Sequence, residues 1–548
     1  MKTFRKTVCL ISAVLLTGCS ASNEPSEQPA PSAPAETAAA ESTGTMTPGT
    51  YEGTANSVGG PLTVKVTVTD SAIESIEVAD THDTPGIGEA AFRRMIPMMI
   101  ENQSVNVDTV SGATLSSIFL RNAVRSALDA AGASKDEFKE TISWSADAQF
   151  DMDADVVVVG GGLAGMSAAA EAAHLGLKTI LVEKLAYLGG DALVSDQGCV
   201  NAINEPAASA FAPNMAALAE QGVPITAAEY PGFGENSTFT IEGAGDFDLM
   251  YLLTESMRTA AENNGAIFLT DTTALGLLTE DGKVTGITAQ PKGQSEFKIN
   301  AKAVILCTGG FSGNTELVGQ YLDYAKGARP MGLGSARGDA LTWVKELNAK
   351  TVMLDAADSS FMLGNPSTGA AASFGYFGNN YVNAQGEAVV EDVSYNLGAE
   401  AVYKAVGSEH VWNIYPKTDA EAQSFVPFLE KSVHNLTAKY FNTLDEVIAE
   451  YGMDKLADTM SARGYKGDEG FYVMEGVACI YGTYGGIYAD DASRVLNEND
   501  EVIPGLYAAG EVIGSREYQA NGAYAGGLAP AFAVGYIAAN SAAEDINQ

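Results

Sequence analysis

The sequence predicts an α/β protein built from more than one domain. Its 548 residues correspond to about three domains at the usual domain size. The continuous apolar run in Asp155–Val159 leads into a glycine-rich turn and a helical pattern, which is typical of a parallel sheet covered by helices. Residues 62–70 instead alternate apolar and polar side chains, and together with the run 72–80 they indicate two strands of a smaller α+β domain.

The overall composition excludes several classes of protein. With 46% apolar and 18% charged residues, the chain is not disordered as a whole. A formal net charge of −38 argues against nucleic acid or an anionic membrane surface as a partner. The five cysteines form no CxxC pair, so a c-type haem site, a cysteine-ligated iron–sulfur cluster and a zinc ribbon are not expected. No uncharged apolar stretch is long enough for a membrane-spanning helix.

The N-terminus predicts export followed by lipid anchoring. Three basic residues precede the apolar run Val8–Leu16, as in a signal peptide. The next residues, ending at Cys19, resemble the bacterial lipobox, whose cysteine is acylated and becomes the new N-terminus. The resemblance implies a signal peptide at 1–18 and a lipid on Cys19, whereas the alternative is an ordinary secretion signal with an incidental cysteine. Residues 19–45 are rich in Ser, Pro, Ala and Glu and predict a disordered tether, so we expect an extracytoplasmic protein held at the cell membrane.

A specific motif lies between the tether and the long apolar strand. The pattern Asp-x-x-Ser-Gly-Ala-Thr runs from Asp108 to Thr114 and opens a helical pattern. Segment 46–135, which contains it, resembles the FMN-binding domain in which the motif threonine carries FMN through a phosphodiester bond. The resemblance implies covalent FMN on Thr114, attached by a flavin transferase, whereas the alternative is an ordinary helix N-cap. The other motif residues would contact the phosphate through their backbone: Ser111, Gly112 and Ala113.

The glycine-rich turn after the apolar strand predicts a dinucleotide site. Gly160, Gly162 and Gly165 have the G-x-G-x-x-G spacing, which permits a tight turn, close approach of a pyrophosphate and close helix–strand packing. A second strand ends at Glu183, about 20 residues on, where an acidic residue binds a ribose hydroxyl in such sites. Neighbouring residues complete the predicted contacts: Leu163, Ala164 and Lys184.

Five later segments carry further motifs: Leu188–Ala192, Cys307–Phe311, Ser335–Ala340, Pro504–Glu511 and Ala525–Pro530. Together they resemble motifs of the fumarate reductase and succinate dehydrogenase flavoprotein superfamily. The resemblance implies non-covalent FAD in a Rossmann-like domain. The residues that would bind FAD are Gly189, Gly190, Asp191, Ala192, Thr308, Gly309, Gly310, Asp339, Gly510, Glu511, Gly527 and Leu528.

The same resemblance divides the remaining chain into domains. The FAD-binding domain would comprise residues 153–345 and 484–548, joined to the FMN-binding domain by a linker at 136–152. Residues 346–483 would form an inserted α+β capping domain that covers the substrate.

The charged residues of the fumarate-type pattern are missing from this cap. None of the four histidines stands where that pattern has one, and Asn396 takes the place of the proton-donating arginine. Arg516 is the one arginine left in a suitable position. Tyr395 and Tyr524 lie in motifs similar to those of flavin ketosteroid dehydrogenases, in which tyrosines transfer a proton and bind a ketone oxygen. With Tyr484 they are the predicted catalytic residues, although simple packing is the alternative for each tyrosine.

These features predict an extracytoplasmic flavin-dependent reductase of anaerobic respiration. An external donor, quinone-linked or flavin-linked, would reduce FMN, and FAD would then reduce an activated C=C bond in a small-molecule acceptor of enone, phenolic or steroid-like type. One alternative is an unsaturated acid, such as urocanate, cinnamate or fumarate, held by Arg516. Two others are a dehydrogenase working in the reverse direction and a non-catalytic electron-relay lipoprotein.

Overall fold

The structure of the protein is a computed structural model that does not describe every residue. It describes residues 45–56, 60–195, 204–230, 234–244, 248–365, 370–372, 380–389, 404–406, 410–422, 426, 429–430, 438–514 and 527–548. Cys19, the signal peptide at 1–18 and the tether up to residue 44 lie outside these ranges. None of the helices within them combines the length and apolar character needed to cross a bilayer.

The first described part is a small α+β unit. It contains β1 (Gly49–Asn56), β2 (Pro61–Val68), β3 (Ile73–Asp80), α1 (Ile87–Glu101) and α2 (Thr114–Ala131). Within the described residues the strands form an antiparallel sheet in the order β1-β2-β3. Every second side chain of β2, from Leu62 to Val68, is buried under the helices, as the alternating pattern predicted. Helix α2 packs closely on β1, because a Cβ on Gly53 would lie 2.0 Å from the Ala123 carbonyl oxygen.

A largely parallel sheet forms the centre of the main unit. Its main path, within the described residues, has the order β21-β22-β11-β4-β5-β8. These strands are β4 (Met152–Val159), β5 (Thr179–Val182), β8 (Ile267–Leu269), β11 (Phe297–Leu306), β21 (Arg494–Leu496) and β22 (Val502–Ala508). Strands β4 and β5 are buried on both faces, which explains why they read as continuous apolar runs. The antiparallel strands β9 (Thr272–Glu280) and β10 (Lys283–Pro291) extend this sheet from β11.

Helices cover the sheet and bring the two ends of the chain together. They are α3 (Leu163–His174), α4 (Ala207–Glu220), α5 (Leu249–Asn263), α6 (Thr315–Tyr321), α7 (Asp339–Lys345) and α11 (Leu528–Asn547). Helix α11 packs directly on α3, since a Cβ on Gly535 would lie 2.2 Å from the Ala164 carbonyl oxygen. A hairpin of β6 (Ile225–Tyr230) and β7 (Gly234–Ile241) lies beside α4.

A second large sheet, largely antiparallel, is built around one long strand. In the described residues its path is β15-β14-β19-β17-β16, with β12 and β18 also paired to β19. These strands are β12 (Arg329–Pro330), β14 (Ala357–Asn365), β15 (Ala370–Ala372), β16 (Tyr381–Val382), β17 (Val411–Pro416), β18 (Lys439–Phe441) and β19 (Phe471–Thr483). Three short helices accompany it: α8 (Lys417–Ala422), α9 (Leu444–Tyr451) and α10 (Leu456–Ala462). Strand β13 (Thr351–Val352) pairs with β20 (Gly486–Ile487) beneath it.

The predicted fold class is confirmed. The structure is a mixed α/β fold with a parallel nucleotide-binding sheet, a second sheet inserted between its strands in sequence, and a small α+β unit before it. The exact domain boundaries stay a prediction. Strand β12, which belongs to the inserted sheet, lies upstream of the boundary expected at residue 346.

Candidate active site

The turn between β4 and α3 can be built only from glycine at two positions. Gly160 has a φ of 104°, and a Cβ there would lie 2.2 Å from the Cys307 carbonyl oxygen. A Cβ on Gly165 would lie 1.9 Å from the Gly160 carbonyl oxygen. Gly162 differs, because a Cβ there would meet no described atom within 4 Å. The turn is therefore packed on its protein side and open at Gly162, in front of the N-terminus of α3, as a pyrophosphate site requires.

Glu183 holds this turn in place through its carboxylate. The side chain is buried at the end of β5, and its oxygens accept N–H bonds from Gly161 at 2.6 Å and from Leu185 at 2.7 Å. Burial raises the pKa of Glu183, and the two N–H bonds act against that rise. Each carboxylate oxygen retains acceptor capacity, so the side chain can support the turn and still bind a ribose hydroxyl.

The loop Leu188–Ala192 closes over the turn. The Gly189 N–H donates to the Gly161 carbonyl oxygen at 2.7 Å. A Cβ on Gly190 would lie 3.0 Å from the Gly162 Cα, so the two glycine segments touch. The next residue, Asp191, accepts the Leu333 N–H at 2.7 Å, and burial raises the pKa of its carboxyl group.

A third group of predicted residues meets around Glu511. Its Oε1 accepts the Thr483 N–H at 2.7 Å and the Thr483 hydroxyl at 3.1 Å. A Cβ on Gly310 would lie 2.4 Å from the same oxygen, so only glycine fits there. Burial raises the pKa of Glu511, and the negative charge of Asp191 adds to the rise. The buried Thr308 hydroxyl has no hydrogen-bond partner among the described residues, which leaves a donor and acceptor for a polar ligand.

This set of groups fits FAD. The open helix N-terminus suits a pyrophosphate, and the buried carboxylates of Glu183 and Glu511 suit hydroxyl donors such as those of a ribose and a ribityl chain. Two further predicted cofactor residues form an ion pair with each other: the Lys184 Nζ lies 3.0 Å from the Asp339 Oδ2.

Thr114 is exposed as the first residue of α2. Gly112 has a φ of 83°, which sets the turn before the helix. The Ser117 hydroxyl donates to the Ala113 carbonyl oxygen at 2.7 Å and accepts the Val110 N–H at 3.1 Å, so the motif is fixed from inside the helix. The side chain at the N-cap position of α2, Ala113, accepts no hydrogen bond. The uncapped helix N-terminus beside a free hydroxyl fits a phosphate-linked flavin.

The two sites lie against each other. The Ala186 N–H donates to the Ser111 carbonyl oxygen at 3.4 Å, and the Tyr187 hydroxyl donates to the Gly112 carbonyl oxygen at 3.2 Å. Four side chains that follow Glu183 along the chain are part of the hydrophobic core of the small α+β unit: Leu185, Ala186, Tyr187 and Leu193.

Charged groups reinforce this junction. Arg94 of α1 pairs with the buried Asp271 at 2.5 Å. The guanidinium of Arg94 and the ammonium of Lys292 lie 3.9 Å and 3.7 Å from the centre of the Trp144 ring. The tryptophan therefore lies in contact with one cation from the small unit and one from the main unit.

Of the predicted catalytic residues, only Tyr484 is described. It is buried directly after Thr483, and its N–H donates to the Ala356 carbonyl oxygen at 3.0 Å. Its position in the chain places it next to the Glu511 group. Tyr395, Arg516 and Tyr524 lie outside the described residues, so their roles stay predictions. Thr483 and Tyr187 also belong to the site, although the sequence did not predict them; both adjoin recognised motifs.

Comparison with known families agrees with this geometry. A family model described as FAD binding domain matches residues 242–527, just over half of the chain. The chain belongs to this FAD-binding family. A model described as FAD dependent oxidoreductase matches residues 155–310, and one described as FMN-binding domain matches residues 58–129. The FAD-binding and FMN-binding domains expected from the sequence are thereby confirmed, while covalent attachment at Thr114 stays a prediction.

This FAD-binding protein is similar to several named enzymes. It is 25% identical to the NADH:acrylate oxidoreductase of Vibrio harveyi over 88% of its own length and 60% of the relative's. It is 26% identical to the urocanate reductase of Eggerthella lenta over 85% of its length and 88% of the relative's. The open conformation of a flavocytochrome c3 fumarate reductase has the same fold, with a TM-score of 0.61 and 21% identity over 72% of this chain and 79% of that chain. The chain thus spans 60% of the length of the acrylate enzyme, less than two thirds of it.

Proposed function

We propose that the protein is a flavin-dependent reductase that adds hydrogen across an activated C=C bond of a small molecule. The observation that carries this proposal is the direct contact between the FMN attachment motif and Ala186 and Tyr187, which immediately precede the loop that closes the FAD site. Such an arrangement suits a protein that receives electrons at one flavin and uses them at the other. The acrylate and urocanate enzymes are named for substrates with a conjugated C=C bond, which supports such a bond as the acceptor.

The chain supplies the binding groups for both cofactors. When bound, FMN would take electrons from an external donor and FAD would deliver them to the substrate as hydride. The N-terminus of α3 would hold the pyrophosphate, and Glu183 a ribose hydroxyl. Glu511 and Thr483 would bind the ribityl chain. Gly527 and Leu528 begin α11, whose N-terminal dipole would stabilise negative charge on the reduced flavin ring.

Tyrosines would provide the remaining chemistry. We assign proton donation to Tyr395, since a phenol with a pKa near 10 is protonated at neutral pH and can be reprotonated from solvent. Tyr524 would polarise a carbonyl conjugated to the C=C bond, and Tyr484 would line the same pocket. Arg516 is the one arginine that the sequence places in a suitable position to pair with an acid. A second buried carboxylate would therefore lack a counter-charge, which favours an enone or phenolic substrate over a dicarboxylate.

An unsaturated monocarboxylic acid is the second candidate substrate. The two relatives are named for acrylate and urocanate, which are conjugated acids with one carboxylate. Arg516 could pair with one such group.

A substrate panel tests these alternatives. The purified protein, reduced by a viologen dye, is mixed with conjugated ketones, a vinyl phenol, acrylate, urocanate, cinnamate and fumarate, and flavin reoxidation is followed. We expect fast reoxidation by a conjugated ketone, phenol or monocarboxylate and slow reoxidation by fumarate. Fumarate as the best acceptor would contradict the pocket assignment. Reoxidation by no member of the panel would favour the non-catalytic relay instead.

A companion variant tests the proton donor. Tyr395→Phe keeps the ring and removes the hydroxyl, so we expect kcat and kcat/KM to fall together with little change in KM. Full kcat on the preferred substrate would place the acid at another residue, with Tyr484 the next to test.

We also propose that the protein is a lipoprotein on the outer side of the cell membrane. Cys19 is the proposed lipidation site, and a polyanionic globule would not otherwise adhere to an anionic membrane. Cys19→Ala should release the protein from the membrane fraction, whereas Cys9→Ala, which alters the cleaved signal peptide, should not. Retention of the Cys19 variant after a high-salt wash would contradict the anchor. A flavin transferase and a quinone-linked or flavin-linked electron donor are the further partners that this location requires.

A further inference from the structure

Tyr187 lies where the two flavin sites meet. It belongs to the main unit and comes immediately before the loop Leu188–Ala192, yet its side chain is 5% exposed and packs in the core of the FMN-binding unit. Its hydroxyl donates to the Gly112 carbonyl oxygen at 3.2 Å. The hydroxyl end of the ring also contacts Gly112, since a Cβ there would be 2.7 Å from the hydroxyl oxygen and 3.0 Å from the ring carbon that carries it.

Short stretches of chain join this contact to both sites. Gly112 is two residues from Thr114, and Tyr187 is two residues from Gly189, whose N–H binds the turn at Gly161. Two residues span at most about 7 Å even when fully extended. The side chain of Tyr187 therefore connects the FMN attachment point to the FAD turn through short segments of chain on both sides, which restricts their relative movement.

The hydroxyl of Tyr187 is suited to holding rather than to proton transfer. Burial raises its pKa well above the ordinary value, and the charges of Glu183 and Asp191 add to the rise. The group stays protonated at neutral pH and keeps donating to Gly112. Other contacts point the same way, because the Ala186 N–H and the Arg94–Asp271 pair fix the same two units together.

We propose that Tyr187 is a positioning residue for electron transfer between the flavins. By holding the loop Val110–Thr114 against the loop Leu188–Ala192, it keeps the flavin on Thr114 at the FAD site throughout turnover, so the FMN-binding unit does not swing away as a carrier. This inference rests on the proposed function, in which electrons pass from FMN to FAD.

Three variants test it in the full-length, flavin-loaded protein. Tyr187→Phe removes only the hydrogen bond, and Tyr187→Leu also removes part of the ring packing. Tyr51→Phe is the matched control, because the Tyr51 hydroxyl donates to the Thr47 carbonyl oxygen at 2.9 Å within the FMN-binding unit, away from the junction.

The first readout is hydrogen exchange of peptides that cover residues 108–114 and 185–188. Loss of one hydrogen bond in Tyr187→Phe should speed this exchange about fivefold, since such a bond contributes about 1 kcal/mol. Tyr51→Phe should leave exchange at both segments unchanged. Unchanged exchange in Tyr187→Phe would overturn the holding role, whatever the behaviour of the leucine variant.

The second readout is electron transfer from FMN to FAD in a single turnover. In Tyr187→Leu it should slow roughly tenfold, because the hydrogen bond and part of the packing are both lost. Turnover of Tyr187→Leu with a small dye that reduces FAD directly should stay at the wild-type rate. This control excludes a general loss of structure, which would slow turnover with the dye as well. If wild-type FMN passes no electrons to FAD, the proposed function itself fails. If it does and Tyr187→Leu matches the wild-type rate, only the present inference is wrong.

Discussion

Arg94→Met should weaken the junction between the two flavin-binding units in a pH-dependent way. Arg94 is the direct ionic partner of Asp271, whose side chain is 2% exposed and whose second carboxylate oxygen has no hydrogen-bond partner among the described residues. Methionine preserves the length and apolar stem of arginine and removes the charge. Among the described residues, the buried carboxylate would then keep Lys292 as a counter-charge.

The expected loss of stability follows from the burial of each partner. Removing one member of a buried ion pair costs about 3–5 kcal/mol. The Arg94 side chain is 30% exposed and Lys292 remains nearby, so we expect a smaller loss of about 2–3 kcal/mol at pH 7.5. Arg93→Met is the matched control on the same helix, because Arg93 is exposed, and it should change stability by less than about 0.5 kcal/mol.

The sign of the pH dependence is fixed by Asp271. Burial raises the pKa of this carboxyl group, and Arg94 lowers it, so the variant has the higher folded-state pKa. A carboxyl group with a raised pKa contributes full stability below its unfolded pKa of about 3.9, and that contribution is lost as pH rises through the folded pKa. The penalty of Arg94→Met should therefore be large at pH 7.5 and should shrink towards pH 4.

Trp144 provides the assay. The chain has three tryptophans, so replacing Trp343 and Trp412 by phenylalanine leaves Trp144, packed against Arg94, as the fluorescent reporter of the junction. Urea titrations at pH 7.5 and pH 5 then measure the stability of this region. An Arg94→Met variant as stable as Arg93→Met at pH 7.5, or one with the same penalty at both pH values, would refute the reasoning.

Three further predictions concern the flavin sites. Thr114→Ala should abolish covalent FMN and leave FAD bound, and a fluorescent band in a denaturing gel of the variant would contradict this. Gly162→Ala should fold normally, since its Cβ meets no described atom within 4 Å, but should bind FAD roughly tenfold more weakly in fluorescence titrations, while Gly319→Ala, in α6, should bind it like the wild type. Asp191→Asn should raise the melting temperature of the apoprotein at pH 7.5, because burial raises the pKa of Asp191 and the charged carboxylate opposes folding at that pH. The gain should vanish below pH 4, where the wild-type carboxyl group is protonated. Equal melting temperatures of variant and wild type at pH 7.5 would exclude this effect.

The features that the sequence predicted are those with a local signal. Gly160 has a positive φ and lies against Cys307, so only glycine fits there. Because Gly165 is restricted to glycine as well, the spacing of the two glycines can be recognised in the sequence alone. Strand β2 alternates because one of its faces is buried, and the second half of β4, Val156–Val159, is continuously apolar because both of its faces are buried.

The features that the sequence did not predict depend on residues far apart in the chain. Arg94 and Asp271 are separated by 177 positions, and Tyr187 and Gly112 by 75. Neither pair has a periodicity or spacing that would mark it. For the inserted sheet, the sequence predicted an α+β cap but not the order of its strands. The pairing of β19 with its several partners depends on tertiary packing and leaves no local pattern in the sequence.

The core shared between the two units determines whether the FMN-binding unit can be separated from the rest of the protein. Leu185, Tyr187 and Leu193 come from the main unit and pack in the core of the FMN-binding unit. At about 1.5–3 kcal/mol for each buried large side chain, the three together contribute about 5–9 kcal/mol, a large fraction of the stability of a small domain. A fragment cut at residue 135 would lack them and would present the matching apolar surface to water. We therefore expect that the FMN-binding unit cannot be transferred to another flavoprotein by itself. The transferred sequence would have to include segment 185–193.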